Sequence, residues 1–303
     1  MSATLEYSGE RFTPECVREI SYEHFHRYAL AARWCASTRV LDAACGEGYG
    51  AALLAATGAV VTGVDISAEA IAHANARYGQ QDGLEFQVAD CAALPFAEHE
   101  FDRVVSFETL EHLDAQDELL AEFKRVLKPD GYLIVSSPDK AVYSEQHNTC
   151  NEFHLKELYT DELKALLGRH FPAWRLLGQK LMFHSAIWSM DELEKVSFDQ
   201  FGATDSATGS SVDLPVSQGI TQAPMYFIAL CAAEEALLPK CNGRLWLFDD
   251  REETVYQHYY GEIKRNMAAG GIIAGMAKEI EELKQQLDTQ TRRPVSWWRR
   301  LFG

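Results

Sequence analysis

Between Thr38 and about Leu230, short apolar runs alternate with stretches whose apolar positions recur every three to four residues. Strands buried on both faces read as continuous apolar runs, so this alternation is the mark of a parallel sheet covered by helices on either side. The runs predict strands at Arg39–Ala43, Val60–Val64, Leu84–Val88, Arg103–Phe107, Tyr132–Ser136, Trp174–Gly178 and Met225–Cys231. The helical patterns fall at Tyr49–Ala56, Ala68–Tyr78, Asp117–Leu127 and Lys156–Leu167, the last delayed by a loop from Pro138 to Phe153. No crossover helix is evident between the last two strands. Instead residues 185–222, rich in Ser, Thr, Asp and Gly around a helical patch at Met190–Val196, read as an insertion or lid-like loop.

The expected fold class is α/β, a Rossmann-like, seven-stranded, mostly parallel sheet occupying residues 37–245. Residues 1–36, helical from about Glu15, precede it as an N-terminal cap. Residues 246–290 form a helical extension with a Gly270-Gly271 interruption. Within it Ile273, Met276, Ile280, Leu283 and Leu287 step by alternating threes and fours among charged neighbours, a two-heptad seam. That seam over residues 272–288 serves either a homo-oligomer or packing on the chain's own domain.

Composition narrows the function. A chain of 303 residues, 47% of them hydrophobic, is not disordered or fibrous, and no run approaches the ~20 apolar residues of a membrane span. The first ten residues, with Glu6 and Glu10, lack the pattern of a signal peptide, and the expected location is cytoplasmic. Seven widely spaced cysteines without a C-x-x-C pair form neither a disulfide framework nor a zinc site. A formal net charge of −17 argues against nucleic acid as a partner. The exception is residues 291–303, TRRPVSWWRRLFG, with four arginines and no acid. This basic, aromatic tail suits peripheral contact with an anionic membrane face, docking to a partner, or a disordered end.

The chemistry begins at V-L-D-A-A-C-G-E-G-Y-G, Val40–Gly50, which ends an apolar strand and opens a helix. Ligands of open α/β sheets bind there, where glycines allow close backbone approach and a helix N-terminus offers unpaired N–H groups. Asp65 ends the second strand, placed for a carboxylate to take both hydroxyls of a ribose. A nicotinamide dinucleotide and a nucleoside-type cofactor both satisfy that feature. Asp90-Cys91, ending the third strand, could read an adenine edge. The loop departs from G-x-G-x-x-G, with Asp42 before it and Glu47 inside it, and carboxylates around a ligand disfavour pyrophosphate and favour a cation.

These blocks, with F-D-R-V-V-S-F-E-T-L-E-H-L (Phe101–Leu113) and R-V-L-K-P-D-G-Y-L-I-V-S (Arg125–Ser136), resemble the class I S-adenosylmethionine-dependent methyltransferases from Val40 to Cys231. The resemblance implies that Asp42 and the loop Ala44–Gly48, with Gly46 and Gly48, hold the methionine part of S-adenosylmethionine. Asp65 would hold its ribose and Asp90 with Cys91 its adenine, with Ile66 and Tyr28 as further cofactor-binding residues. Ala44 departs from the family's usual glycine. G-E-R-F-T-P-E (Gly9–Glu15), Y-E-H-F-H-R-Y (Tyr22–Tyr28) and N-E-F-H-L-K-E-L (Asn151–Leu158) further resemble methyltransferases of bacterial surface-polysaccharide, or O-antigen, machinery, which methylate sugar hydroxyls. If the N-terminal helix folds over the cofactor, Tyr28 and Arg11 close the site and His24 faces the acceptor.

A hydroxyl acceptor needs a base or a metal. Glu108, Glu111 and His112 follow the fourth strand, and on a helical turn their spacing would put all three on one face. The pattern is similar to that of ubiquinone-biosynthesis O-methyltransferases, which implies a divalent cation, Mg²⁺ or Mn²⁺. The preferred assignment makes His112 the general base, oriented by Glu108 or Glu111, with His154 as the other catalytic candidate; a purely structural His112 is the alternative. A glycan hydroxyl, a small aromatic or quinone acceptor, and a non-enzymatic scaffold are the functional readings. Ser106-Phe107-Glu108 is not the segment with which DNA adenine methyltransferases stack a flipped base.

Overall fold

The computed structural model describes residues 19–148, 150–182, 202–204, 211–213, 220, 222–241, 244–249 and 253–291. The chain divides into two compact units at Phe248/Asp249. The N-terminal GERFTPE block, Arg11, the Met190–Val196 patch and the basic tail after Thr291 lie outside the described residues.

The first unit is a seven-stranded sheet in the order β3-β2-β1-β4-β5-β9-β6. Its strands are β1 (Arg39–Ala43), β2 (Val60–Asp65), β3 (Leu84–Val88), β4 (Phe101–Ser106), β5 (Leu127–Pro138), β6 (Ala173–Gln179) and β9 (Tyr226–Ala232). Two short strands, β7 (Gly202–Thr204) and β8 (Ser211–Asp213), pair only with each other, within the segment expected as an insertion. β1 to β5 run parallel, and β9 inserts antiparallel between β5 and β6. That insertion explains the missing crossover, because an antiparallel return needs no helix. Strand order reverses between β1 and β4, and the crevice outside the carboxyl ends at that reversal is where such sheets bind ligands.

Two apolar clusters cover the two faces. Tyr28, Leu54, Val61, Ile71 and Phe86 belong to one, joined by α1 (Glu19–Cys35), α2 (Tyr49–Ala55) and α3 (Ala68–Tyr78). Leu41, Phe101, Leu119, Phe123 and Leu163 belong to the other, under α4 (Gln116–Val126) and α5 (Thr160–His170). Ser67 caps α3 by accepting from the Ala70 N–H at 3.2 Å.

Several boundaries depart from the sequence reading. The predicted helix at Lys156–Leu167 begins four residues later, at Thr160, because residues 151–158 form a strap instead. The loop after Pro138 contains a π-helical turn at Ala141–Gln146. Lys128–Gly131 is carried within β5, where the pairing with β4 jumps from Phe101↔Leu127 to Arg103↔Tyr132.

The second unit is a single described helix, α6 (Thr254–Thr291), which runs through Gly270 and Gly271 without interruption.

Candidate functional site

The loop after β1 is shaped by a backbone conformation that L side chains rarely adopt. Ala44, Gly46 and Gly48 all have positive φ, at 60°, 55° and 89°. Left-handed backbone at the non-glycine Ala44 costs about 1–2 kcal/mol, which gives a physical reason for glycine there in the related loops. Gly48 is fixed by packing: a Cβ would sit 2.7 Å from the Phe86 ring and 2.8 Å from Ala74. The loop is tied down by the Cys45 N–H on the Val64 carbonyl (2.8 Å) and the Gly46 N–H on Asp65 Oδ2 (2.9 Å). Asp65 Oδ1 accepts from Ser67 N–H at 2.8 Å.

A cavity of about 290 Å³ opens at the sheet's carboxyl end. Ala44, Cys45, Gly46, Asp65, Ile66, Ala89, Asp90 and Cys91 line one part of it; Tyr28, His24, Tyr49, Phe107, Glu108, Thr109, His112 and Leu113 line the rest. Seven of the nine proposed cofactor residues therefore meet at one cavity. The two that do not are Asp42 and Gly48. Asp42 is fully buried and is reached through Tyr28, whose hydroxyl donates to both carboxylate oxygens at 3.1 and 3.3 Å. Burial foremost, offset by the Tyr28 hydrogen bond and reinforced by the Asp65 charge, pushes the Asp42 carboxyl up to about 7. Glu47, read as an acid beside the ligand, instead turns into the protein, with Oε2 at 3.1 Å from His73 Nε2 and 3.6 Å from Arg77 Nη1 on α3.

Beyond Phe107 the chain does not make the helical turn expected of Glu108, Glu111 and His112. Glu108 has φ 52°, and Leu110–His112 is a short 3₁₀ turn, so the three side chains do not share a helix face. Glu108 takes a 2.6 Å hydrogen bond from Ser136 Oγ and lies 3.6 Å from the buried Arg27 guanidinium. Glu111 points inward, and among the described residues neither carboxyl oxygen meets a donor. Burial first, then the Glu108 charge, holds its carboxyl well above the usual carboxylate range.

His112 is held by the strap. The Phe153 carbonyl lies 2.9 Å from Nδ1 and, as an acceptor only, requires the proton on that nitrogen, leaving Nε2 as the basic one. The Glu111 carbonyl accepts from the N–H groups of Leu155 (2.9 Å) and Lys156 (3.0 Å). Gln116 Nε2 donates to the carbonyls of Leu110 and Lys156, both at 2.9 Å. His154 stands behind His112, ring centroids 5.1 Å apart, with Nδ1 on Glu157 at 2.6 Å and Nε2 accepting from Asn151 at 2.9 Å. It is outside the cavity lining. His24, Nδ1 3.1 Å from the Tyr49 hydroxyl, has its imidazole pKa pulled well down by burial and then by the Arg27 charge. Sequence reasoning missed Gln116, which looks like any first-turn helix residue, and the link from Arg27 through Glu108 to Ser136.

Residues 41–135 match the family model described as a methyltransferase domain. The fold, the loop and this match support a class I S-adenosylmethionine-dependent methyltransferase. Over 168 residues the chain is 39% identical to a "probable S-adenosylmethionine-dependent methyltransferase" of Mycobacterium tuberculosis, covering 54% of this chain and 60% of the relative. A fatty-acid O-methyltransferase of Mycolicibacterium smegmatis is 39% identical over 139 residues, covering 43% and 50%. Among solved structures, the YcgJ protein of Bacillus subtilis has a TM-score of 0.46 at 23% identity, covering 51% of this chain and 71% of that one. The chain spans about 60% of the length of the mycobacterial relative.

The donor set suits S-adenosylmethionine. Asp65 offers carboxylate oxygens for a diol, Ile66 is 73% exposed at the cavity lip where a flat base could pack, and acidic groups favour a sulfonium cation. It does not suit Mg²⁺ or Mn²⁺. Glu111, His112 and His154 bring one ligand atom each within 4.8 Å, but two imidazoles and one carboxyl are a poor set for hard cations. Both nitrogens of His154 are already engaged. Among the described residues no helix is long and apolar enough to cross a membrane.

Proposed function

We propose that the protein is an O-methyltransferase acting on a sugar hydroxyl of a bacterial glycan or glycan precursor, with His112 as general base. The observation that carries this reading is the Phe153 carbonyl on His112 Nδ1, which leaves Nε2 basic in a side chain lining the cavity. Bound S-adenosylmethionine would supply an electrophilic methyl group on a sulfonium. Asp65, Asp90 and the Ala44–Gly46 backbone would bind it, with Asp42 and Tyr28 behind the loop. His112 Nε2 would take the acceptor proton as the new C–O bond forms, and Glu108, braced by Ser136, would orient the hydroxyl. Support for a sugar comes from the hydrogen-bonding side chains of this end, His24, Glu108, Thr109 and His112. It comes also from the Asn151–Leu158 strap, whose sequence carries the polysaccharide-type resemblance and which docks directly on His112 and Glu111.

The test is release of S-adenosylhomocysteine with panels of glycan and phenolic acceptors, with and without EDTA. Turnover on glycan acceptors that survives EDTA, and that His112→Asn lowers by about 10²–10⁴-fold without loss of cofactor affinity, is the expected result. Turnover confined to phenols would favour the aromatic-acceptor alternative. Cofactor binding with no turnover on any acceptor would favour a scaffold.

A further inference from the structure

From Ile263 to Asp288 every residue of α6 is exposed, including Ile273, Met276, Ile280, Leu283 and Leu287, each at least half so. The helix carries Gly270, Gly271 and Gly275, where an added Cβ would meet nothing within 4 Å beyond the helix's own backbone. Each interior glycine costs a helix about 1 kcal/mol, and helices in proteins draw most of their stability from packing an apolar face. A helix of this make-up therefore calls for a covering surface. The spacing of the five apolar residues assigns Ile273, Ile280 and Leu287 to one core position of a heptad, and Met276 and Leu283 to the other.

The charges flanking this seam say which surface. Glu279 immediately precedes a core residue and Lys284 immediately follows one, five positions later. In two parallel, in-register copies these are the residues that meet across the interface, so each Glu279 faces the other copy's Lys284. An antiparallel pair would set Glu279 near Gln286 and Lys284 near Ala277 and would gain no opposite-charge contact. Lys284 lies 3.9 Å from its helical neighbour Glu281 with both side chains well exposed, so its ammonium can serve the partner. We propose that α6 is the interface of a parallel homodimer, occupied by a second copy of the same helix.

The test is sedimentation of the full chain over a concentration series. A dimer is expected, converted to monomer by Ile280→Lys with Leu283→Lys while affinity for S-adenosylhomocysteine stays unchanged, which shows that the first unit remains folded. Glu279→Lys and Lys284→Glu should each weaken the dimer by about tenfold, and the double exchange should restore it. Leu283→Cys should cross-link to itself under mild oxidation beyond the level of the parent chain. A monomer at all concentrations would overturn the proposal, as would a dimer indifferent to the seam variants. A seam-dependent dimer without restoration and without the Leu283→Cys cross-link would overturn the parallel arrangement.

Discussion

Asp42→Asn tests whether the site stores unfavourable burial for the sake of its ligand. The Asp42 carboxyl is fully buried, accepts only the Tyr28 hydroxyl among its described side-chain donors, and moves from 3.8 to about 7. The unfolded chain releases this proton more readily than the folded one, so rising pH through that interval favours unfolding. Integrated between about pH 5.5 and about pH 8.5, the shift costs the native state about 2 kcal/mol more at the upper value. Asparagine keeps the shape and an acceptor for Tyr28 but has no charge to lose, so its stability should lack this loss. The assay is chemical unfolding of both proteins at the two pH values, followed by tryptophan fluorescence. Asp42→Asn should gain on the parent by about 2 kcal/mol between them, while affinity for S-adenosylmethionine falls because a negative charge behind the loop is gone. Equal displacement at both pH values, or a variant that gains nothing at the higher one, would show that burial does not raise the Asp42 carboxyl.

Gly50→Ala should destabilise the first unit by about 1–3 kcal/mol, since a Cβ would lie 2.0 Å from the Tyr28 ring; thermal unfolding reads this, and an unchanged midpoint would contradict the packing of α1 on α2. Gln116→Leu should cost about 1–3 kcal/mol by orphaning the Leu110 and Lys156 carbonyls. Because the strap also holds His112, proton resonances of that imidazole should show loss of the fixed tautomer, and retention of it would argue that Gln116 serves stability alone. Asp65→Ala should weaken S-adenosylhomocysteine by about 1.5–3 kcal/mol per lost hydrogen bond, read by calorimetry.

Strand positions were legible: β1 falls where its run begins and ends although Asp42 is buried within it, and the edge strand β3 keeps its expected bounds while alternating buried Leu84 and Phe86 with exposed Glu85. So was the cavity, because the carboxyl ends of β1, β2 and β3 converge by topology alone and bring Gly46, Asp65 and Asp90 together. What failed was local conformation set by distant partners. Glu108 adopts left-handed backbone while bonded to Ser136 on the neighbouring strand, which no spacing rule encodes, and this removed the expected helical face. The Tyr28 hydroxyl, from the preceding helix, sits on both Asp42 carboxylate oxygens, a contact the sequence does not encode. The docking of residues 151–158 onto the His112 turn joins segments some forty residues apart, and only the fold reveals that Phe153 fixes the imidazole.

Acidic strand ends and a left-handed loop that grip an adenosyl sulfonium ligand should also bind its demethylated product. Calorimetric titration of the full chain with S-adenosylhomocysteine and, separately, with NAD measures this. One site for the homocysteine compound, weakened by Asp65→Ala, with no heat from NAD, is the predicted result. Silence toward the first ligand, or saturable binding of the pyrophosphate-bearing one at the same cavity, would contradict it.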